Sequence, residues 1–395
     1  MLAKSDTDIT STLQRFARKN IDVALLVPTK TGLEKSIMDA TAPVRSLLED
    51  SGLHDYNAQP QGPANKKVLR AEFLTPDSAV QLDATLYRPE TKRGDPRIWF
   101  SKLNKHAHPN NLLALFVHSG KLHVVNCSDG AAMAAIDDAG TPLGRIASVR
   151  ASTISAEATE LLDLLRGISA RGFVRSIRRG DTGVGFTLET LLGIRANARK
   201  TPDYKGIEIK AARARRSARD RVTLFSQVPD WKLSPIGNAR NLLNAIGYRR
   251  NGRLQYYQTI SARVPNAQGL VLNLDSAKDL LRQDRRASSE LEAMAAWQLA
   301  VLRARLVEKH AQTFWVKAEA KLDDGVETFH YTHVVHTRGP LVQNFESLID
   351  IGDITLDYTL RVRPSGGVKD HGYLFKIGTE KINALFPPPL EFALC

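Results

Sequence analysis

The feature that most constrains this chain is a nine-residue segment that joins turn-forming residues to strand-forming ones. Residues 202–210 read Pro-Asp-Tyr-Lys-Gly-Ile-Glu-Ile-Lys. The second half of the segment favours a β-strand, and the two-residue period of a strand places Glu208 and Lys210 on one face. Gly206 can supply the turn that returns Asp203 to the side of Glu208. The segment therefore predicts a hairpin that brings two carboxylates and one amine together.

Two converging carboxylates and a lysine have a definite chemistry. They match the PD…(D/E)xK pattern of metal-dependent nucleases, whose all-oxygen site suits magnesium, with manganese as a substitute. A lysine beside the metal can orient a water molecule and favour its deprotonated form, as magnesium-assisted phosphodiester hydrolysis requires. Because the same pattern also arises by chance on solvated strands and helices, its surroundings decide between the two interpretations.

Charge supports the nuclease interpretation. The chain of 395 residues carries a formal net charge of +13. Residues 1–165 hold 19 basic and 19 acidic side chains, whereas residues 166–221 hold 15 basic and 5 acidic ones. The excess charge therefore surrounds the motif, as expected of a surface that neutralises phosphates. From this basic stretch we expect contacts with double-stranded DNA by Arg213, Arg215 and Arg216.

The wider segment resembles a known family. Residues 180–194 fit the pattern GxTGxGxTLExxLGI, Asn197 follows, and residues 202–210 fit PDxxGxExK. Together these blocks resemble the MvaI/BcnI family of restriction endonucleases, over about residues 170–390. Weaker matches follow in the family's order: residues 224–226 with 229–231, Asn266 with 269–270, Trp297 in a helix, residues 352–354 with Asp357, and residues 370–372 with 375–377.

The resemblance implies both a fold and a mechanism. The fold is α/β (α+β), with a restriction-endonuclease-like mixed sheet flanked by helices, similar to the mismatch-repair nicking enzyme MutH. The implied activity is that of a magnesium-dependent, site-specific DNA endonuclease, a monomer that cuts one strand of a short GC-rich site at a time. The metal ligands would be Asp203, Glu208 and the carbonyl of Ile209. Lys210 would position the attacking water, and Glu189 would complete the metal or water shell.

We expect the β-rich C-terminal part to read the DNA sequence, because Arg and Lys commonly pair with guanine edges and a carboxylate can accept from cytosine. The candidates are His333, His336, Arg338, Asp357, Arg361, Arg363, Lys369 and His371. Three histidines, His330, His333 and His336, are spaced by three, but their β-branched and aromatic neighbours favour a strand, which disfavours a shared metal site. Lys376 stands where the family pattern has an arginine, so the target sequence stays open.

The pattern along the chain predicts three units. Residues 1–150 form an accessory or DNA-reading domain, mostly β or α/β, residues 151–310 a catalytic nuclease lobe, and residues 311–395 a β-rich DNA-recognition lobe. Apolar periodicity predicts helices over residues 9–19, 31–48 and 288–309, a helix capped by Ser155, and a short helix capped by Thr187. Residues 134–153 read as a linker. Strands are predicted over residues 68–73, 84–87, 97–100, 112–117, 122–126, 314–321, 328–337, 354–362 and 373–377.

Composition narrows the class of protein. Two cysteines give no disulfide framework or zinc cluster, and the N-terminus lacks a secretory signal. No apolar run approaches the ~20 residues of a membrane span, so we expect a protein of the bacterial cytoplasm. Three functions remain open: a restriction or phage-defence endonuclease, a partner-licensed nicking protein of repair or regulation, and a non-catalytic DNA-binding protein.

Overall fold

A computed structural model describes residues 5, 7–91, 94–148, 154–194, 202–214, 221–275, 277–287, 290–363 and 366–395. Within these ranges the chain forms four β-sheets with flanking helices. The predicted α+β class, with a mixed sheet, is confirmed. None of the helices in the described ranges is long and apolar enough to cross a membrane.

The first 150 residues build a seven-stranded sheet with strand order β1-β6-β7-β3-β4-β5-β2. Its strands are β1 (Ala24–Leu26), β2 (Met38–Asp39), β3 (Lys67–Leu74), β4 (Ala79–Tyr87), β5 (Arg97–Phe100), β6 (Leu113–His118) and β7 (Lys121–Asn126). The accompanying helices are α1 (Ile9–Ala17), α2 (Lys30–Lys35), α3 (Ala42–Asp50), α4 (Gly130–Ala134) and α5 (Pro142–Ile146). The five strands predicted in this part are thus confirmed.

Two predictions in this part were wrong. The single helix predicted over residues 31–48 is interrupted: Ser36, at φ +54°, ends α2, strand β2 follows, and a proline in its first turn starts α3. The predicted linker contains α5, whose Leu143 is buried in the core. Short helices with few apolar residues explain the weak pattern there.

The remaining residues form three sheets. The motif sheet has the order β20-β17-β16-β9, with β8 paired to β17; the basic sheet has the order β10-β19-β18-β12-β11; the small sheet has the order β13-β14-β15. The strands are β8 (Val174–Arg175), β9 (Glu208–Arg213), β10 (Arg221–Ser226), β11 (Tyr248–Arg250), β12 (Arg253–Ile260), β13 (Leu270–Asp275), β14 (Leu280–Ala287), β15 (Glu290–Gln298), β16 (Gln312–Asp323), β17 (Val326–Arg338), β18 (Ile354–Val362), β19 (Val368–Gly378) and β20 (Leu390–Ala393). The helices are α6 (Ala156–Ser169), α7 (Gly183–Leu191), α8 (Ala239–Ile246), α9 (Leu299–His310) and α10 (Val342–Asp350).

Strands from both sides of residue 310 share two of these sheets. β9 runs parallel to β16, and β10 and β12 pair antiparallel with β19 and β18. The proposed catalytic and recognition lobes are therefore joined by main-chain hydrogen bonds at the motif and basic sheets.

One core spans the first 150 residues and the rest of the chain. Leu13 and Phe16 of α1 belong to the same buried cluster as Phe345 of α10. Polar contacts follow the same junction: the backbone N–H of Gln343 donates to the two carboxylate oxygens of Asp22 at 3.1 and 3.2 Å. The first 150 residues are therefore anchored on the remainder through buried apolar and hydrogen-bonded contacts.

The helix predicted over residues 288–309 is half strand. β15 occupies Glu290–Gln298 and α9 begins at Leu299, so Trp297 lies on a strand and not on a helix. Met294 to Trp297 are all buried. A strand covered on both faces shows no polar alternation, and its apolar run therefore imitates a helix in sequence.

The two predicted caps had different outcomes. Ser155 caps α6 by accepting from the Ala158 N–H, as predicted. Thr187 instead lies inside α7, where its buried hydroxyl accepts from the Ile177 N–H at 3.0 Å.

Candidate active site

The segment singled out in the sequence forms the predicted hairpin. Tyr204 and Ile207 exchange backbone hydrogen bonds of 2.9 and 2.7 Å across Lys205 and Gly206. Both turn residues have positive φ, +42° and +87°. This is the requirement of a type I′ turn, whose twist matches that of the flanking strands and which glycine adopts without steric cost.

The hairpin brings the three motif side chains together. The backbone N–H of Ile209 donates to Asp203 Oδ2 at 2.9 Å, which holds that carboxylate alongside β9. Lys210 Nζ lies 2.6 Å from Glu208 Oε1, so the two side chains share one face of the strand. The Ile209 side chain points into the core on the opposite face. The alternation predicted from the sequence therefore holds atom by atom.

A second lysine completes this arrangement. Lys309, in the last turn of α9, places Nζ 2.9 Å from Glu208 Oε2. Sequence reasoning missed it because it lies 101 residues from Glu208, at an unremarkable charged helix end. The parallel pairing of β9 with β16 brings the end of α9 close to Glu208. The order of residues does not show which strands pair, so this contact could not be predicted.

The charges of the site act on one another. Burial, reinforced by the charge of Glu208, raises the pKa of Asp203. Burial and the charge of Asp203 likewise raise the pKa of Glu189. Burial also opposes ionisation of Glu208, but the two ammonium groups of Lys210 and Lys309 outweigh it and lower the pKa of that carboxyl. Three carboxylates and two lysines are thus close enough to be electrostatically coupled.

Helix α7 supplies the third carboxylate and one wall of a cleft. The helix starts at Gly183, where a Cβ would lie 2.4 Å from the Arg178 carbonyl oxygen, so only glycine fits. Glu189 lies in its last turn, half-buried, and faces an open cleft of about 920 Å³. Asp203, Lys210 and the basic residues Arg178, Arg213 and Arg221 line the same cleft. Such an opening can admit a polyanion to the carboxylates.

The donor set fits a divalent cation. In the part of the chain that the structure describes, no three His, Cys, Asp or Glu side chains form a ready-made metal cluster. Asp203 and Glu208 nevertheless offer hard oxygen ligands, and their mutual repulsion is what a dication relieves. The Ile209 carbonyl directly follows Glu208 on β9. A site of this kind holds the ion with few protein ligands and several waters.

The basic residues predicted near the motif are only partly described. Arg213, at the end of β9, forms an ion pair with Glu327 at 2.6 Å and donates to the carbonyl oxygens of Gly180 and Asp181. It therefore ties the start of α7 to the motif sheet. Arg215 and Arg216 lie outside the described residues, as does Asn197.

Regular alternation along β17 would set His333 opposite His330 and His336, but a register shift between Tyr331 and His333 changes this. His330 and His333 pair with Glu319 and Lys317 on one face of the ladder, and His336 pairs with Phe314 on the other. His333 is exposed, whereas His336 is fully buried and contacts Gln312 and the ring of Phe314. Burial lowers the pKa of His336 to about 4, so the ring is neutral. The predicted DNA contact of His336 is incompatible with this position. Arg338, at the end of the same strand, is half-buried.

Asp357, also predicted to contact DNA, lies in a buried group of ion pairs. The residue is buried, and its carboxylate receives two hydrogen bonds from Arg221, at 2.8 and 2.9 Å. Lys376 Nζ lies 3.0 Å away. Both carboxylate oxygens thus contact cations, and Asp357 holds two basic side chains in place. Arg221 itself was not among the predicted residues.

The other predicted base-reading residues lie on the basic sheet or its connecting loop. Arg361 of β18 and Lys369 of β19 are paired across the strands. Arg361, Arg363 and His371 are exposed, and Lys369 is half-exposed. These side chains are accessible to solvent, unlike those of His336 and Asp357.

Comparison with known proteins identifies the family. A sequence model of the MvaI/BcnI restriction endonuclease family matches residues 162–386, more than half of the chain. The solved complex of restriction endonuclease MvaI with cognate DNA is 24% identical, with a TM-score of 0.54, and covers 62% of this chain and 100% of its own. MvaI in the absence of DNA is 23% identical, with a TM-score of 0.40 and the same coverage. No curated protein matches the chain.

The family generally uses divalent metal ions, and the resemblance drawn from residues 180–210 is confirmed by the match. The first 161 residues lie outside it. The chain belongs to the MvaI/BcnI restriction endonuclease family and is a site-specific DNA endonuclease.

Proposed function

We propose that this protein is a magnesium-dependent type II restriction endonuclease of phage defence, with Asp203, Glu208 and Lys210 at its centre. The observation that carries the proposal is the hairpin itself: Lys210 lies 2.6 Å from the Glu208 carboxylate, and Asp203 accepts a hydrogen bond from the same strand. Asp203 and Lys210 line a cleft that also holds several arginines. Manganese is expected to replace magnesium, since both accept oxygen ligands.

Each residue has a task in the proposed reaction. Asp203, Glu208 and the Ile209 carbonyl would hold the ion, which would supply Lewis-acid activation of the scissile phosphate. Lys210, on the cleft side of β9, would position the attacking water, and Glu189 of α7 would complete the metal or water shell. The water oxygen would form a bond to phosphorus and release a proton to solvent. The bond from phosphorus to the leaving sugar oxygen would break, and that oxygen would take up a proton from solvent.

Base recognition is assigned to the basic sheet. Arg221 and Lys376 stand side by side on Asp357, and Arg221 also lines the cleft. Arg361, Arg363, Lys369 and His371 extend this surface. Fixed arginines and lysines suit guanine edges, which favours a short GC-rich site. We propose that a monomer cuts one strand of this site at a time.

One observation favours the alternative of a partner-licensed nicking enzyme. Residues 379–384 form a short 3₁₀ segment, and Thr379, Ile382 and Asn383 of this segment line the cleft. The segment packs against α1, and Gln14 donates to the Glu380 carbonyl at 3.2 Å. Residues 1–150 would then be an accessory unit through which a partner or a second DNA contact changes one cleft wall.

Digestion of plasmid and phage DNA separates these possibilities. The full-length protein is incubated with magnesium and methylated or unmethylated DNA, and the ends are sequenced. A restriction enzyme cuts unmethylated DNA at one short sequence without a partner. Nicks that appear only with a cellular extract favour the alternative, and intact DNA under all conditions contradicts the proposed activity.

A further inference from the structure

The buried carboxylate of Glu208 is shared by two ammonium groups. Lys210 contacts Oε1 at 2.6 Å and Lys309 contacts Oε2 at 2.9 Å. The Glu208 side chain is 3% exposed and that of Lys309 15%. In the proposed reaction Lys210 alone positions the attacking water, so the place of Lys309 against Glu208 has a different explanation.

The position of Lys309 is built into the fold. The next residue, His310, is completely buried, and its ring bridges the Leu224 carbonyl at 2.9 Å and the Thr313 hydroxyl at 2.8 Å. The same ring stacks on Trp315. Strands β10 and β16 therefore fix the end of α9, and with it the origin of the Lys309 side chain.

A buried carboxylate is costly without a compensating cation. Before a metal binds, Lys309 and Lys210 together provide that compensation. A divalent ion held by Glu208 would draw on the same carboxylate that Lys309 contacts, and a positive charge beside the site also disfavours a dication. The ammonium group and the metal would therefore compete for Glu208.

We infer that Lys309 is a positioning residue that occupies Glu208 Oε2 until a divalent ion takes it, and that this competition sets the metal affinity of the site. The inference rests on the proposed function, since it assumes that Glu208 is a metal ligand. Lys309 would hold the Glu208 carboxylate in place in the metal-free protein. The same contact would weaken metal binding in the absence of DNA.

The test measures binding of Mn²⁺ alone to full-length protein without DNA, by electron paramagnetic resonance and calorimetry. In Lys309→Met, Mn²⁺ should bind about tenfold more tightly, because the competing charge is gone. Lys309→Gln should change in the same direction, and Lys309→Arg should stay near the wild type. The matched control is Lys205→Met. Lys205 lies on the same hairpin and forms an exposed ion pair with Glu160 of α6, so its loss should leave Mn²⁺ affinity unchanged.

Thermal unfolding gives a second readout that does not depend on catalysis. In EDTA, Lys309→Met should melt below both the wild type and Lys205→Met, because Glu208 has lost a compensating cation. Added Mn²⁺ should then raise its melting temperature by more than it raises that of the wild type.

One result overturns this inference alone: the wild type binds Mn²⁺ and cleaves DNA, but Lys309→Met and Lys309→Gln bind Mn²⁺ with equal or lower affinity than the wild type. Wild-type protein that neither binds Mn²⁺ nor cleaves DNA overturns the proposed function and, with it, the inference.

Discussion

Asp357 provides a test of whether a residue contacts DNA bases itself or holds in place the side chains that contact them. Its side chain is 6% exposed and lies under two cations, whose side chains are 32% exposed for Arg221 and 22% for Lys376. Removing one partner of a fully buried ion pair costs about 3–5 kcal/mol. Because water reaches part of both cations and screens them, we expect Asp357→Asn to lower the free energy of unfolding by about 2 kcal/mol.

The assay is urea unfolding of Asp357→Asn, Arg221→Ala and the double variant, with fluorescence anisotropy of labelled DNA duplexes. If Asp357 acts by holding Arg221, the double variant should bind DNA no more weakly than Arg221→Ala alone. The exposed Asp370→Asn on neighbouring β19 is the matched control and should unfold like the wild type. Unchanged stability of Asp357→Asn with an altered preference at a single base pair would refute the supporting role and restore a direct base contact.

Three further perturbations test the fold around the site. Burial raises the pKa of Asp22 to about 7, so the native state holds this proton more tightly than the unfolded chain does. The free energy of unfolding should therefore fall by at most about 4 kcal/mol as pH rises from about 4 to 7. Unfolding curves of Asp22→Asn taken across this range should lack that pH dependence. Protein starting at Ser152 should be insoluble or melt far below the full chain, because the core that contains Phe345 loses its α1 side; cleavage by this fragment at the full rate would contradict a shared core. Gly206→Ala, at φ +87°, should destabilise by about 1 kcal/mol and reduce cleavage by misplacing Asp203, whereas Gly172→Ala, at φ +69° and away from the site, should cost similar stability but leave cleavage intact.

The hairpin of residues 203–210 could be predicted because the residues that determine it are close together in sequence. The turn at Gly206, the strand alternation of Glu208 and Lys210, and the return of Asp203 all depend on residues within nine positions of one another. Neighbouring β16, β17, β18 and β19 were also predictable, since β-branched and aromatic residues concentrate there.

What the sequence did not reveal depends on contacts between distant segments. Lys309 reaches Glu208 only because α9 ends beside the parallel β9–β16 pair. The contacts of Asp357 with Arg221 and Lys376 likewise join residues of three different strands. His336 could not be distinguished from a surface histidine by sequence, because a histidine is found on both buried and exposed faces of strands.

The most direct test of the central claim is cleavage of unmethylated double-stranded DNA by the wild type and by Glu208→Gln, each with magnesium and with EDTA. The wild type should cut at one short sequence only when magnesium is present. Glu208→Gln should bind the same DNA without cutting it, because the ion loses its buried ligand. Cleavage by Glu208→Gln at the wild-type rate would place the chemistry elsewhere in the molecule and contradict the account.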